Sequence, residues 1–244
     1  MNRPWPTQTF TVLPGMVGPG GALRPQEALR LMQDFADITL VEQSKGTYWM
    51  TDDDLGWMTR AYHLRFDRPL LEGEGVTLTT AFCPLGDSLS LRRFCFFVDG
   101  KQVGKADSSW MLVRRSTRRV TRLSRGLTQD YFDFCQDLDD VTLPQRETPS
   151  WQGESWDETI SLRWADYDCN GHVNNTVYGA FLSQGARKSF ASGMTSLELT
   201  FCHEIKKGPV LCRSWSLGEG LFGHYLYDGD GQLCSWGRTQ WSAL

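Results

Sequence analysis

From Leu162 to Tyr178 the chain reads Leu-Arg-Trp-Ala-Asp-Tyr-Asp-Cys-Asn-Gly-His-Val-Asn-Asn-Thr-Val-Tyr, crowding two carboxylates, three amides and an imidazole into one short stretch. Asp168, Asn170 and His172 stand at alternate positions and offer a base or nucleophile, an orienting group and a proton donor. They precede an apolar run with Val177, Tyr178, Phe181 and Leu182, so the reading places them at a helix amino terminus, with a helix from His172 to Ala186. Free N–H groups and the positive dipole end there suit a developing oxyanion. Such a set fits acyl transfer or hydrolysis.

Other chemistry fits these residues less well. Asp166, Asp168, Asn170 and Gly171 open like a calcium loop, but its twelfth position needs a bidentate carboxylate and holds Val177. No second histidine or cysteine pair stands near His172 to complete a transition-metal site, so no metal and no cofactor is expected. Helix capping and Asx turns account for part of the segment. They do not call for a histidine in the first turn of an apolar helix.

The elements that must position this segment occur twice. Asp99-Gly100 lies shortly before Trp110, and Asp230-Gly231 holds the same relation to Trp241, each as a hairpin turn whose return strand carries the tryptophan. Upstream, Leu64-Arg-Phe66 leads to Gly73 and Val76 as Leu199-Thr-Phe201 leads to Gly208 and Val210. Alternation at Tyr62, Leu64 and Phe66, at Val76, Leu78 and Phe82, and at Leu197, Leu199 and Phe201 marks half-buried strands. A phase change near Arg92-Arg93 suggests a bulge. Pro25 opens a first helix whose apolar face is Ala28, Leu31, Phe35 and Ile38. Each half is therefore expected to be a helix followed by about four antiparallel strands that wrap around it. The expected divisions are 1–122, a linker over 123–156 pinned by Tyr131, Phe132 and Phe134, and 157–244.

Composition narrows the function classes. The chain of 244 residues carries 25 Lys and Arg against 29 Asp and Glu, which argues against broad contact with nucleic acid. Its seven cysteines form no C-x-x-C pair, and no apolar stretch is long enough to span a bilayer. The amino-terminal residues show no basic segment running into an apolar one. A soluble, reduced, cytoplasmic protein is expected.

The pattern D-x-D-x-N-x-H-V-N-N-x-x-Y, from Asp166 to Tyr178, together with the duplicated halves, resembles the acyl-acyl carrier protein thioesterases, and more loosely other hot-dog thioesterases. The resemblance implies an α+β fold of two tandem hot-dog domains and hydrolysis of acyl thioesters carried on acyl carrier protein. It implies a catalytic set of Asp168, Asn170, His172 and Glu204. Asp168 would attack or activate water, Asn170 would align the reactants, His172 would donate a proton, and Glu204 would orient His172 or the water. Plant members have a cysteine directly after that glutamate; Ile205 stands here, and Cys202 does not fill the place. The first half lacks the set, offering Pro19-Gly-Gly-Ala-Leu-Arg-Pro25 for the loop and Pro69 opposite Glu204. One active site is expected.

The resemblance also implies an acyl tunnel in the first half, with Leu31, Phe35, Trp57, Met58 and Tyr62 as candidate lining. Arg114, Arg115, Arg118, Arg119 and Arg122 form the densest positive cluster and a candidate docking patch for the acidic carrier protein. An acyl-CoA hydrolase, a non-catalytic acyl-thioester-binding module and a hot-dog dehydratase are the alternatives. The protein is expected to act as a pseudo-dimer, alone or paired.

Overall fold

The computed structural model describes residues 5–43, 54–123, 138–143, 147–188 and 191–244. The first half comprises β1 (Thr7–Thr11), α1 (Pro25–Gln43), β2 (Leu55–Phe66), β3 (Gly75–Leu85), β4 (Leu89–Val98) and β5 (Lys101–Arg114). The second comprises β6 (Ser155–Ile160), α2 (Tyr178–Gly185), β7 (Ser192–Phe201), β8 (Val210–Gly218), β9 (Leu221–Tyr227) and β10 (Leu233–Ala243). All ten strands join one antiparallel sheet in the order β1-β3-β4-β5-β2-β7-β10-β9-β8-β6. The second half thus repeats the strand order of the first in reverse direction, and the halves meet where β2 pairs with β7, Ala61 opposite Thr200 and Arg65 opposite Ser196. Two tandem hot-dog units make up the fold.

One continuous core lies between helices and sheet. Ala28, Leu29, Met32, Phe35 and Ala36 of α1 pack on Tyr62, Leu64, Leu78, Phe94 and Phe96, while Phe181 and Leu182 of α2 pack on Leu199, Phe222 and Leu226. The helices also touch each other. A Cβ on Gly179 would lie 2.9 Å from the backbone nitrogen of Gln26, so only glycine lets α2 approach the start of α1 this closely.

Three expectations change. Among the described residues each half has five strands, because the edge strands β1 and β6 precede the helices; their mostly exposed residues give no alternating apolar signal. β4 is continuous at Arg92-Arg93, and its register shift against β5 falls at Phe96/Phe97. The phase change arises because both faces of β4 are covered. Arg92 donates to Thr39 on α1 at 2.8 Å, whereas Arg93 points outward to a buried bidentate pair with Asp107 at 2.7 and 3.0 Å. Residues 139–142 cross that outer face, their carbonyls accepting from Arg93 and Lys105 and the Thr142 N–H donating to Asp107. The third change concerns the start of the second helix and is described with the site. Tyr131, Phe132 and Phe134 lie outside the described residues.

Candidate active site

The loop before α2 is a pinned turn. A short 3-10 turn at Trp164–Asp166 buries the Asp166 carboxylate, which accepts from the Arg163 backbone N–H at 2.8 Å and its guanidinium at 2.7 Å. Tyr167 then bridges to Val173, and the Asp168 N–H donates to the His172 carbonyl at 2.8 Å. Gly171 turns the chain at φ 73°, a left-handed conformation that favours glycine. Asp168 Oδ1 accepts from the backbone N–H groups of Asn170 and His172 at 2.8 and 3.2 Å, and Oδ2 from the Asn170 amide at 3.3 Å. His172 therefore lies in the turn ahead of the helix and not in its first turn. Asn174 is the true cap: its Oδ1 accepts from the Thr176 N–H at 2.9 Å, starting a 3-10 turn at Asn175–Val177 that runs into α2.

Glu204 reaches the loop because its neighbour is fastened there. Ile205 is fully buried; its N–H donates to the Tyr178 hydroxyl at 3.2 Å and its carbonyl accepts from Val173 at 2.9 Å. Burial pushes the Tyr178 phenol well above its ordinary value, so it stays a neutral hydroxyl. Glu204 Oε2 then lies 3.3 Å from His172 Nε2. Two segments distant in sequence thus converge, and the tyrosine of the motif holds them together.

The four side chains Asp168, Asn170, His172 and Glu204 line one wall of a cavity of about 950 Å³. First-half residues form the facing walls: Gln33 and Asp37 from α1, Trp57, Met58 and Thr59 from β2, and Trp110 from β5. Of the anticipated tunnel residues, Trp57 and Met58 line this cavity. Leu31 and Phe35 pack in the core, and Tyr62 stands behind the wall, edge-to-face with Trp110 and Phe201.

Sequence reasoning missed several lining groups. Asn175 bridges the halves by donating to Thr59 Oγ1 at 2.6 Å. Among the described residues Gln33 Oε1 and Trp57 Nε1 are buried without a hydrogen-bond partner, and desolvation pushes the Asp37 carboxyl up, so the cavity has polar points within its apolar wall. Cys202 and His203 also border it; desolvation raises the Cys202 thiol, which works against a thiolate there.

The arginine cluster divides. Arg114 and Arg122 lie 3.8 Å from Asp54 and Asp87, and Arg119 is exposed. Arg115 and Arg118 instead turn into the cavity: Arg115 donates to Asn170 Oδ1 at 2.8 Å, and Arg118 lies 2.5 Å from Glu204 Oε1 and 3.1 Å from His172 Nε2. Spacing alone could not assign these contacts, since the partners come from opposite halves. Among the described residues no cluster of His, Cys, Asp and Glu is arranged to hold a metal ion, and no helix is long and apolar enough to cross a membrane.

Residues 6–131 match the family described as acyl-ACP thioesterase N-terminal domain, and residues 150–243 match its C-terminal domain. An oleoyl-acyl carrier protein thioesterase of Arabidopsis thaliana is 27% identical over 217 residues, covering 76% of this chain and 60% of that protein. An oleoyl-acyl carrier protein thioesterase of Coriandrum sativum is 25% identical over 161 residues, covering 62% of this chain and 41% of its own length. The chain thus spans about half the length of such curated relatives. Among solved structures, the 12:0-ACP thioesterase from Umbellularia californica superposes with a TM-score of 0.81 at 21% identity, covering 98% of this chain and 97% of that one.

Proposed function

The chain belongs to the acyl-ACP thioesterase family, and on that premise we propose that it hydrolyses fatty acyl thioesters carried on acyl carrier protein, releasing free fatty acid and ending chain elongation. One observation carries this reading: Asp168, Asn170, His172 and Glu204 converge on a cavity whose facing walls come from the half that lacks them. Its volume of about 950 Å³ falls within the range of ligand pockets, which suits an acyl chain.

In this reading the C–S bond breaks, a C–O bond to a water oxygen forms, and one water proton leaves with the thiol. Asp168 Oδ1 is occupied by two backbone N–H groups, so Oδ2 is the oxygen that takes a proton from the attacking water, or that attacks the carbonyl to give an anhydride which water then cleaves, restoring the carboxylate. Asn170 aligns the reacting groups beside it. His172 delivers the proton to the departing sulfur, and Glu204 sets the ring for that transfer. The acyl chain extends toward Trp57 and Met58, which gives the first half the task of holding substrate. Arg114, Arg119 and Arg122, the members of the arginine cluster that stay outside the cavity, offer an acidic carrier its landing. A reducing compartment such as the cytoplasm fits the six described cysteines, all free thiols.

The test is thiol release by the purified full chain from matched acyl-carrier and acyl-CoA thioesters. Faster turnover of the carrier-linked substrate supports the reading. Preference for the CoA thioester would make it an acyl-CoA hydrolase, and no release from either would make it a binding module. Free fatty acids liberated in a fatty-acid-synthesising host would identify the chain length.

A further inference from the structure

We propose that Arg115 and Arg118 are positioning residues of the hydrolytic site, supplied by the half that has no catalytic set. This rests on reading the cavity as a thioester hydrolase site. The Arg118 guanidinium bridges two members of that set, one nitrogen 2.5 Å from Glu204 Oε1 and the other 3.1 Å from His172 Nε2, while Glu204 Oε2 lies 3.3 Å from the same imidazole nitrogen. That nitrogen carries a proton or a lone pair. With a proton it donates to Glu204; with a lone pair it accepts from Arg118. The bridge thus holds the ring in one place through both protonation states, as proton delivery to a leaving thiolate requires. Arg115 acts on the other member. By donating to Asn170 Oδ1 at 2.8 Å it fixes which end of the amide is the oxygen and leaves the NH2 group facing Asp168 Oδ2 at 3.3 Å.

The turn that carries both arginines is built for this aim. Asp54 binds it from below, its carboxylate accepting from the Ser116 N–H at 2.8 Å and the Ser116 hydroxyl at 2.6 Å, and its carbonyl accepting from the Arg115 N–H at 2.9 Å. The Arg118 N–H donates to the Arg114 carbonyl at 2.8 Å, and Arg118 itself sits at φ 57°, where a side chain with a Cβ is strained. A surface turn with no task beyond charge display would favour glycine or asparagine at that position. Arg118 occupies it because the side chain must reach across to the second half.

Docking and positioning predict different kinetics. A docking arginine acts only on carrier-linked substrate and mainly through KM. A positioning arginine acts on every thioester, through kcat. The experiment compares wild type, Arg118→Gly, Arg118→Lys and Arg115→Ala on an acyl carrier thioester and on the acyl-pantetheine thioester, which has no carrier. Arg118→Gly should lower kcat about 10- to 100-fold on both substrates, the scale of one lost charge-assisted hydrogen bond. Its melting temperature should hold or rise, because glycine relieves the left-handed backbone. Arg118→Lys keeps the charge but cannot bridge two acceptors in a fork, so it should recover only part of the rate. Arg115→Ala should show a smaller kcat loss on both. Wild-type kcat on acyl-pantetheine in Arg118→Gly, or a loss confined to KM for the carrier, would overturn the inference while leaving the hydrolase reading intact. An inert wild-type chain would overturn both.

Discussion

The two halves build the same loop and put opposite residues on it. In the first half Gly18 N–H donates to the Ala22 carbonyl and Gly21 to Gly18; in the second Asp168 donates to His172 and Gly171 to Asp168. Val17 bridges Leu23 as Tyr167 bridges Val173, and Gly21 and Gly171 turn the chain at φ 77° and 73°. Leu23 donates to Leu70 where Val173 donates to Ile205. Gly18, Gly20, Ala22 and Pro69 therefore stand where Asp168, Asn170, His172 and Glu204 do, which moves the loop correspondence read from sequence by one residue. The facing strand differs as well. Gly193 in β7 occupies the place of Met58 in β2, each two residues before a bulge, at Thr195 and Arg60. Met58 borders a cavity, whereas Gly193 is packed so tightly that a Cβ would lie 2.4 Å from Pro69 and 2.9 Å from Ala22. The fold supplies two places for a site. Side-chain chemistry opens one and fills the other.

The largest effect expected from breaking this asymmetry is at Asp168. Asp168→Asn keeps the acceptor oxygen for the turn but cannot act as nucleophile or base, so thiol release should fall by about 10²- to 10⁴-fold with little change in melting temperature. Near-normal turnover would remove Asp168 from the chemistry. The reverse graft, Gly18→Asp with Gly20→Asn and Ala22→His, should create no second site in a chain inactivated at Asp168, because Pro69 stands where the glutamate would and already fills the space against Gly193, with only an alanine's room at position 22.

The filled site should be as sensitive in stability as the open one is in activity. Gly193→Ala places a methyl group well inside the Pro69 ring contact, and overpacking of this kind costs about 2–3 kcal/mol. Urea unfolding of the variant measures it. An unchanged midpoint would mean that Pro69 and Ala22 yield freely and that the closed site is loosely packed.

A third contrast lies under the helices. Each half buries a basic side chain on its central strand: Arg92, bonded to Thr39 on α1, and His224, whose ring nitrogens lie 2.8 Å from Ser214 Oγ and 2.9 Å from Thr239 Oγ1 beneath the end of α2. Burial pushes His224 down to about 3. Below pH 6.5 an unfolded histidine takes up a proton that the folded one refuses, so the unfolded state binds more protons and stability falls as the pH drops from 6.5 toward 3. The slope approaches roughly 1.4 kcal/mol per pH unit, or about 2 kcal/mol at pH 5. His63 on β2, also pushed down by burial, adds to this acid sensitivity in the same direction. His224→Gln should flatten the stability profile between pH 6.5 and 4; an unaltered slope would assign it to other groups.

Much of this asymmetry was legible in the residue order. Duplication showed in the repeated Asp-Gly turns and tryptophans because hairpin geometry and strand alternation impose short-range rules. The polar loop before α2 showed because its polar groups lie within a few positions. The edge strands did not show, since Thr7–Thr11 and Ser155–Ile160 alternate nothing apolar. Apolar spacing starts α2 too early, because Val173 and Val177 continue an apolar pattern through a turn that Gly171 and Asn174 govern. Apolar spacing also could not tell which residues face the cavity: Phe35 and Met58 look alike in sequence, yet Phe35 packs in the core and Met58 lines the cavity. The contact of Arg118 with Glu204, 86 residues away, depends on how one half packs on the other.

The smallest effect sharpens the division within the arginine cluster. Arg119 and Arg122 remain outside the cavity, and Arg122 lies only 3.8 Å from an exposed partner, Asp87, a surface pairing worth little to stability. If the proposed carrier lands on this patch, these two arginines serve only its approach, which a long-range field assists and salt weakens. Arg119→Glu with Arg122→Glu should raise KM for the carrier-linked thioester about 3- to 10-fold at low ionic strength, a change of roughly 1 kcal/mol, and leave kcat unaltered. Added salt should close the gap between variant and wild type by screening both, and acyl-pantetheine should be hydrolysed at the wild-type rate. Equal losses on both substrates would place these two arginines with Arg115 and Arg118 in shaping the site, and no change on either would leave the carrier to dock on another face.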